Sequence, residues 1–297
     1  MIECFECPIM CGADRELGAG ACGAGKLPFV ARAARHYYEE PPISGTRGSG
    51  AIFFAGCNMR CVFCQNSDIS RTGCPDGAIP ADESALADMM LGLEELGAHN
   101  VNLVTPTPHT RTLEKAIPLA RKRGLTAPIV WNSNGYERTE TLARFEGLVD
   151  IWLPDLKYVS PTLAERYSGR ADYFDFASKA ILEMHRQSGV LELDGEGIAK
   201  KGLIIRHLVL PCAVDETRRV LDFIKENLPT ETYISLMSQY TPIPGMKKPL
   251  DRRLTKGEYR RAADYAASLG FANVFTQKLS SAESAYTPEF NGLIERF

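Results

Sequence analysis

The sequence predicts an α/β protein, a partial (β/α)6 TIM-type barrel with a small cysteine-rich extension at its amino end. Three observations predict it. After residue 50, short apolar runs alternate six times with longer amphipathic stretches, the pattern of parallel strands joined by right-handed helical crossovers. Six units are too few to close a barrel of eight. The first apolar run also delivers a cysteine triplet at its carboxyl end, the edge where α/β barrels carry chemistry.

Residues 1–49 are expected to form the extension and residues 50–297 the barrel with a C-terminal cap. The alanine- and arginine-rich stretch from Leu27 to Tyr38 reads as a helix ended by Pro41-Pro42. Strands are expected near 50–55, 100–104, 128–132, 149–153, 203–209 and 232–236. Helices are expected near 82–97, 110–123, 137–147, 172–188, 215–227 and 255–269. Asp82 suits a helix start, and Gly97 and Gly124 suit helix ends. Residues 189–202 read as a surface hairpin, Val274-Phe275 as a further apolar segment, and Pro288–Phe297 as a cap on the barrel or across its mouth.

Composition excludes several classes. With 44% hydrophobic and 24% charged residues in 297, the chain is an ordinary globular protein. A net charge of -3 argues against a nucleic-acid binder. No apolar run reaches the roughly 18 residues of a membrane span, and Met1-Ile2-Glu3-Cys4 does not look like a signal peptide. Nine cysteines then fit metal ligation in a reducing cytoplasm better than disulfides. Neither a G-x-S-x-G elbow nor a phosphate-binding G-x-x-x-x-G-K-S/T loop occurs.

Two cysteine groups carry the chemistry. Cys57, Cys61 and Cys64 lie in one short loop, and thiolates select zinc, Cu(I) or iron–sulfur clusters. Three ligands leave one iron of a 4Fe–4S cluster free, whereas structural zinc normally closes with a fourth. The second group, Cys4, Cys7, Cys11 and Cys22, lies among glycines. It reads as a zinc site, a second iron–sulfur site, or a cysteine-rich loop without metal.

The C-x-x-x-C-x-x-C spacing, with Phe63 before the last cysteine, resembles radical S-adenosylmethionine (SAM) enzymes. The wider text from His36 through Gly45 to Cys64-Gln65-Asn66 is similar to relatives of pyruvate formate-lyase activating enzyme, a branch of unknown function, and the resemblance runs over nearly the whole chain. It implies a 4Fe–4S cluster on Cys57, Cys61 and Cys64, SAM on the free iron, and Phe63 shielding the cluster. It also implies a reductant such as flavodoxin or ferredoxin, and a candidate protein substrate, a glycine of a partner enzyme. Asp155 and Lys157 resemble an Asp-x-Lys pair in which the Asp helps hold a monovalent cation and the Lys meets the SAM carboxylate.

Other strand ends supply further candidates for cofactor contact. The glycine–glycine–glutamate stretch usual in activases is missing, and Asn102, Thr105 and Thr107 stand in its place. Asn132 and Asn134 offer amides, and Gln239 lies at the sixth strand end. An arginine inside an apolar strand is costly unless paired, so Arg206 is expected to point inward to an anion, with the SAM carboxylate a candidate. His207 should then face the helices. Two rival functions remain: radical modification of a peptide or small metabolite, and a non-enzymatic iron–sulfur or zinc protein.

Overall fold

A computed structural model describes residues 3–279 and 288–295. Nine strands make one continuous path. They are β1 (Phe29–His36), β2 (Ser49–Phe54), β3 (Val101–Val104), β4 (Ile129–Ser133), β5 (Ile151–Pro154), β6 (Ala199–Leu208), β7 (Tyr233–Met237), β8 (Val274–Thr276) and β9 (Leu293–Ile294). Their spatial order is β8-β7-β6-β5-β4-β3-β2-β1-β9. All neighbours from β2 to β8 run parallel, and only β1 against β2 is antiparallel. Among the described residues β8 and β9 do not meet, so the barrel stays open as the six-unit count predicts.

The parallel strands are buried along their length. All six residues of β2 and all five of β4 are inaccessible, as expected for strands covered on both faces. Helices α1 (Glu83–Glu95), α2 (Thr110–Lys122), α3 (Thr139–Ala143), α4 (Pro161–Ser168), α5 (Tyr173–Ser188), α6 (Val214–Asn227) and α7 (Lys256–Ser268) form the outer layer. Six of these were expected; α4 was not. Its start is set by Ser160, whose hydroxyl accepts from Leu163 N at 3.4 Å, with Pro161 behind it. Residues 192–193 do pair with β6 as a hairpin, and Val274-Phe275 lies in β8.

The helix expected over Leu27–Tyr38 is instead strand β1. A register shift between Val30 and Arg32 places Val30, Ala31, Ala33 and Ala34 all inside. That bulge breaks the two-residue alternation of a strand and leaves a spacing that imitates a helix. Pro41-Pro42 opens a short helix, Pro41–Ser44, rather than ending one. The sheet therefore begins ahead of the expected boundary at residue 50. Of the C-terminal segment, the described residues 288–295 add β9 beside β1, with Phe290 packed edge-on to Phe53. Residues 296–297 lie outside the described residues. Among the described residues no helix is long and apolar enough to cross a membrane.

The amino-terminal extension is fastened to the helices. Glu6 bonds Arg111 (2.9 Å) and Thr110 (3.0 Å) and pairs with Arg144, and Arg138 donates to Phe5 O at 2.7 Å. Burial of Glu6 would raise its pKa, but Arg111 and Arg144 hold it below the ordinary carboxylate value.

Helix α7 starts with a complete capping box between Thr255 and Glu258. Thr255→Ala should cost about 1 kcal/mol, read as a lower urea midpoint with unchanged slope.

Candidate active site

The site grows from the carboxyl ends of the strands. β2 ends in Ala55-Gly56-Cys57, and Gly56 sits at φ +85° with no room for a side chain, since a Cβ would lie 2.9 Å from Cys22 O. The turn throws the three cysteines toward a cleft. Cys61 and Cys64 line it. Cys57 sits behind them, taking Asn134 Nδ2 and Met59 N on its sulfur, each at 3.4 Å. Ser168 donates to Cys61 Sγ at 3.0 Å, and Asn66 N donates to the Cys64 sulfur. Burial pushes the Cys61 thiol up to about 12, with the nearby Lys157 ammonium pulling it back.

A buried charge set faces these sulfurs. Arg206 points inward and donates to Asp155 Oδ1 (3.0 Å), Glu39 Oε2 (3.2 Å) and Asn132 Oδ1 (2.5 Å). Lys157 Nζ donates to Asp155 Oδ2 at 2.5 Å. Burial alone would raise Asp155, but Lys157 and Arg206 hold it below the ordinary value. Burial likewise works against the Lys157 ammonium, but Asp155 keeps it above its ordinary pKa. Both oxygens of Asp155 thus meet protein cations, Oδ1 the Arg206 guanidinium and Oδ2 the Lys157 ammonium. The anion expected for Arg206 is, in the protein itself, a pair of carboxylates.

Glu39 is the residue that sequence reasoning undervalued. Its Oε1 accepts from Asn102 (3.0 Å) and Asn132 (3.1 Å) while Oε2 takes Arg206. No local pattern marks it, because its partners lie on three other strands. Tyr173 was also missed: its hydroxyl lies 2.9 Å from Asn134 O and 2.8 Å from Asp155 O, and accepts from Lys157 N at 3.0 Å. Asn58, inside the cysteine loop, accepts from Asn134 Nδ2 at 2.8 Å and donates to Tyr136 O at 2.7 Å. A polar residue between cysteines was the available signal.

The expected contact residues divide. Phe63, Asn132, Asp155, Lys157, Arg206 and Gln239 line the cleft. Asn134 reaches the cysteine loop instead, and Asn102 reaches Glu39 with its own Oδ1 buried and unpartnered. Thr107 does not line the cleft; its hydroxyl donates to the buried Glu137 at 2.9 Å, beside Trp131 and Ser133. Thr105 lies at the turn after β3, at φ +61°. His207 faces the helices as expected, donating through Nδ1 to Leu156 O (2.7 Å) and accepting from Thr217 on α6 (2.9 Å).

The donor set fits a thiolate-bound cluster. Three thiols stand together with no imidazole or carboxylate among them, and two take an amide N–H from the residue two further on. Among the described residues no three His, Cys, Asp or Glu side chains close on a single-ion position. A single zinc would draw its sulfurs to about 2.3 Å; a cubane gives each cysteine a different iron. The cleft encloses about 200 Å³ and opens to solvent, and it presents both signs of charge to a zwitterion such as SAM.

An open parallel barrel with three cysteines at its carboxyl face defines a class, the radical SAM enzymes. Residues 51–190 match the family described as Radical SAM superfamily. The chain is 33% identical over 273 residues to an uncharacterised protein of Methanocaldococcus jannaschii, covering 89% of this chain and 74% of that one. Its fold is similar to Streptococcus suis SuiB bound to the precursor peptide SuiA, at TM-score 0.51 and 13% identity over 76% of this chain and 48% of SuiB, about half that protein's length. A domain of pyruvate-formate lyase-activating enzyme from Bacteroides vulgatus matches at TM-score 0.44 and 13% identity, over 60% of this chain and 98% of that domain. The chain belongs to one family with the archaeal protein, and its residues 51–190 carry the radical SAM superfamily domain.

Arg206→Ala leaves Glu39 without its cationic partner and Asp155 with Lys157 alone, and should destabilise the metal-free protein by about 3 kcal/mol, measured by urea unfolding. Acid should destabilise it as well. Burial holds His36, His109 and His207 down at about 4, against about 6.5 unfolded. Their contribution is complete above pH 6.5 and is lost as pH falls through 4. The urea midpoint should drop across that window, less steeply in His207→Gln.

Proposed function

We propose that the protein is a radical SAM oxidoreductase that takes a hydrogen atom from a glycine of a partner enzyme, in the manner of a glycyl radical activase. The observation that supports this reading is the meeting, at one cleft, of Cys61 and Cys64 with the Asp155–Lys157–Arg206 charge set. When bound, the cluster on Cys57, Cys61 and Cys64 and its SAM supply a 5′-deoxyadenosyl radical by one-electron reduction of the sulfonium.

The chain's own residues bind, orient and exclude water. Lys157 offers a point charge to the SAM carboxylate, held in place by Asp155. Arg206 fixes Asp155 and Asn132, so the polar wall is set before the ligand arrives. Asn132 and Gln239 offer amides to ribose or adenine. Phe63, packed edge-on to Tyr167 and Tyr240, keeps solvent from the sulfurs. Asn134 holds the Cys57 sulfur through its amide. The reductant in this reading is a one-electron carrier such as flavodoxin or ferredoxin.

A second reading changes only the target, to a peptide or small metabolite. A second cavity of about 420 Å³ favours it: Glu39, Arg206, Met237 and Gln239 line both cavities, which gives the cleft a continuation toward the open edge at β8. SuiB bound to its precursor peptide SuiA is a protein of similar fold with a peptide partner.

Anaerobic protein with reconstituted iron should release 5′-deoxyadenosine from SAM under a strong reductant, and Cys64→Ala should abolish this. Cleavage that survives in Cys64→Ala would sink the assignment. Lys157→Met should raise the Kd for SAM about tenfold or more, the loss of one charge-assisted hydrogen bond. A glycyl doublet in electron paramagnetic resonance, after incubation with candidate glycyl radical enzymes, separates the first reading from the second.

A further inference from the structure

We propose that Cys4, Cys7, Cys11 and Cys22 hold a second iron–sulfur cluster, with Arg15 as its counter-cation, seated against the loop that carries Cys57. The extension folds the cysteines onto one another: Arg15 Nη2 reaches the sulfurs of both Cys4 (3.1 Å) and Cys22 (3.4 Å), and Gly12 N, beside Cys11, donates to Cys4 O at 3.1 Å. Three are buried and Cys11 is exposed. No disulfide joins them. A thin extension that buries free thiols side by side gains little from packing, but it is what a thiolate-bound metal requires.

The local backbone turns tightly around these cysteines. Cys4 N donates to Ala13 O (3.0 Å), Gly12 N to Cys4 O (3.1 Å), Met10 N to Cys7 O (3.0 Å) and Gly20 N to Ala24 O (2.9 Å). Gly12 and Gly23 take φ of +63° and +88° to make these turns.

Arg15 decides between iron–sulfur and zinc. Its Nη2 donates to Cys4 Sγ (3.1 Å) and Cys22 Sγ (3.4 Å), and Nη1 donates to Pro108 O (3.1 Å). Its Nε is buried without a partner. A buried donor left unmet is costly. Zinc on four thiolates brings no acceptor beyond those sulfurs. An iron–sulfur cluster brings inorganic sulfides, and one of these would accept from Nε. The guanidinium also offsets the negative charge of four thiolates around a cluster.

The two sites adjoin. Cys57 N donates to Cys22 O at 3.1 Å, and a Cβ on Gly56 would meet that same carbonyl. Pro108, which accepts from Arg15, precedes His109, whose Nε2 donates to Ala55 O at 2.9 Å. A one-electron centre in the extension thus lies between solvent, at Cys11, and the Cys57 loop.

The test uses the full chain with Cys57, Cys61 and Cys64 all changed to alanine, which reads the extension alone. Anaerobic analysis should find about four iron and four sulfide per chain and no stoichiometric zinc, and adding Cys4→Ala, Cys7→Ala, Cys11→Ala and Cys22→Ala should remove them. Stoichiometric zinc, or a chain without metal, overturns the proposal. The unsubstituted chain provides a separate check, with about eight iron expected and about four overturning it. After reduction, its paramagnetic resonance should be broader than the sum of the two single-site variants; an additive spectrum overturns the close seating. Arg15→Gln should lower the midpoint potential of the extension's site, and an unchanged potential overturns the counter-cation role. Because the triple variant lacks the first site, these results do not depend on whether the protein cleaves SAM.

Discussion

Arg206 is the constraint on which the cleft depends. A guanidinium held mostly inside a parallel sheet cannot shed its proton and meets little water, so the surrounding strands must bring it acceptors. Asp155 after β5, Asn132 in β4 and Glu39 after β1 do so. One side chain in β6 thereby ties four stretches of chain into a single polar wall. A buried ion pair is weak support for stability in itself, because desolvation offsets most of its Coulomb energy. Its value here is positional: Lys157 is held on Asp155 at 2.5 Å and cannot drift into solvent.

The cysteine loop obeys a different constraint, close approach of backbones. Gly56 must pass beneath Cys22, and Cys57 must bond to its carbonyl. The loop is therefore braced from two sides, by the extension below and by Tyr167 above, whose carbonyl accepts from Val62 N at 2.8 Å. Without metal the Cys61 thiol is buried, protonated and costly to ionise. Metal binding must release that proton, which couples cluster assembly to pH and to folding of the loop.

The six parallel strands were legible as short, continuous apolar runs, and six of the seven outer helices as the longer amphipathic stretches between them. Cys57, Cys61 and Cys64 were legible because their spacing lies within one loop. β1 was not legible, since its bulge pairs the buried positions Val30-Ala31 and Ala33-Ala34 as a helix would. Thr107 looked like a strand-end ligand, yet the buried Glu137 claims its hydroxyl, and nothing in the Thr-Pro-Thr text announces an acceptor thirty residues on.

By itself, then, the order of residues determined the parallel barrel, its open count of units, the thiol triplet and the inward arginine. These rest on local periodicity, local spacing and the cost of burying one charge. Which carboxylates answer Arg206, which amides reach the sulfurs and where Cys22 lies relative to Cys57 were decided only in three dimensions. Those contacts join residues far apart in the chain, and they exist only because strand order and register set the strand ends side by side.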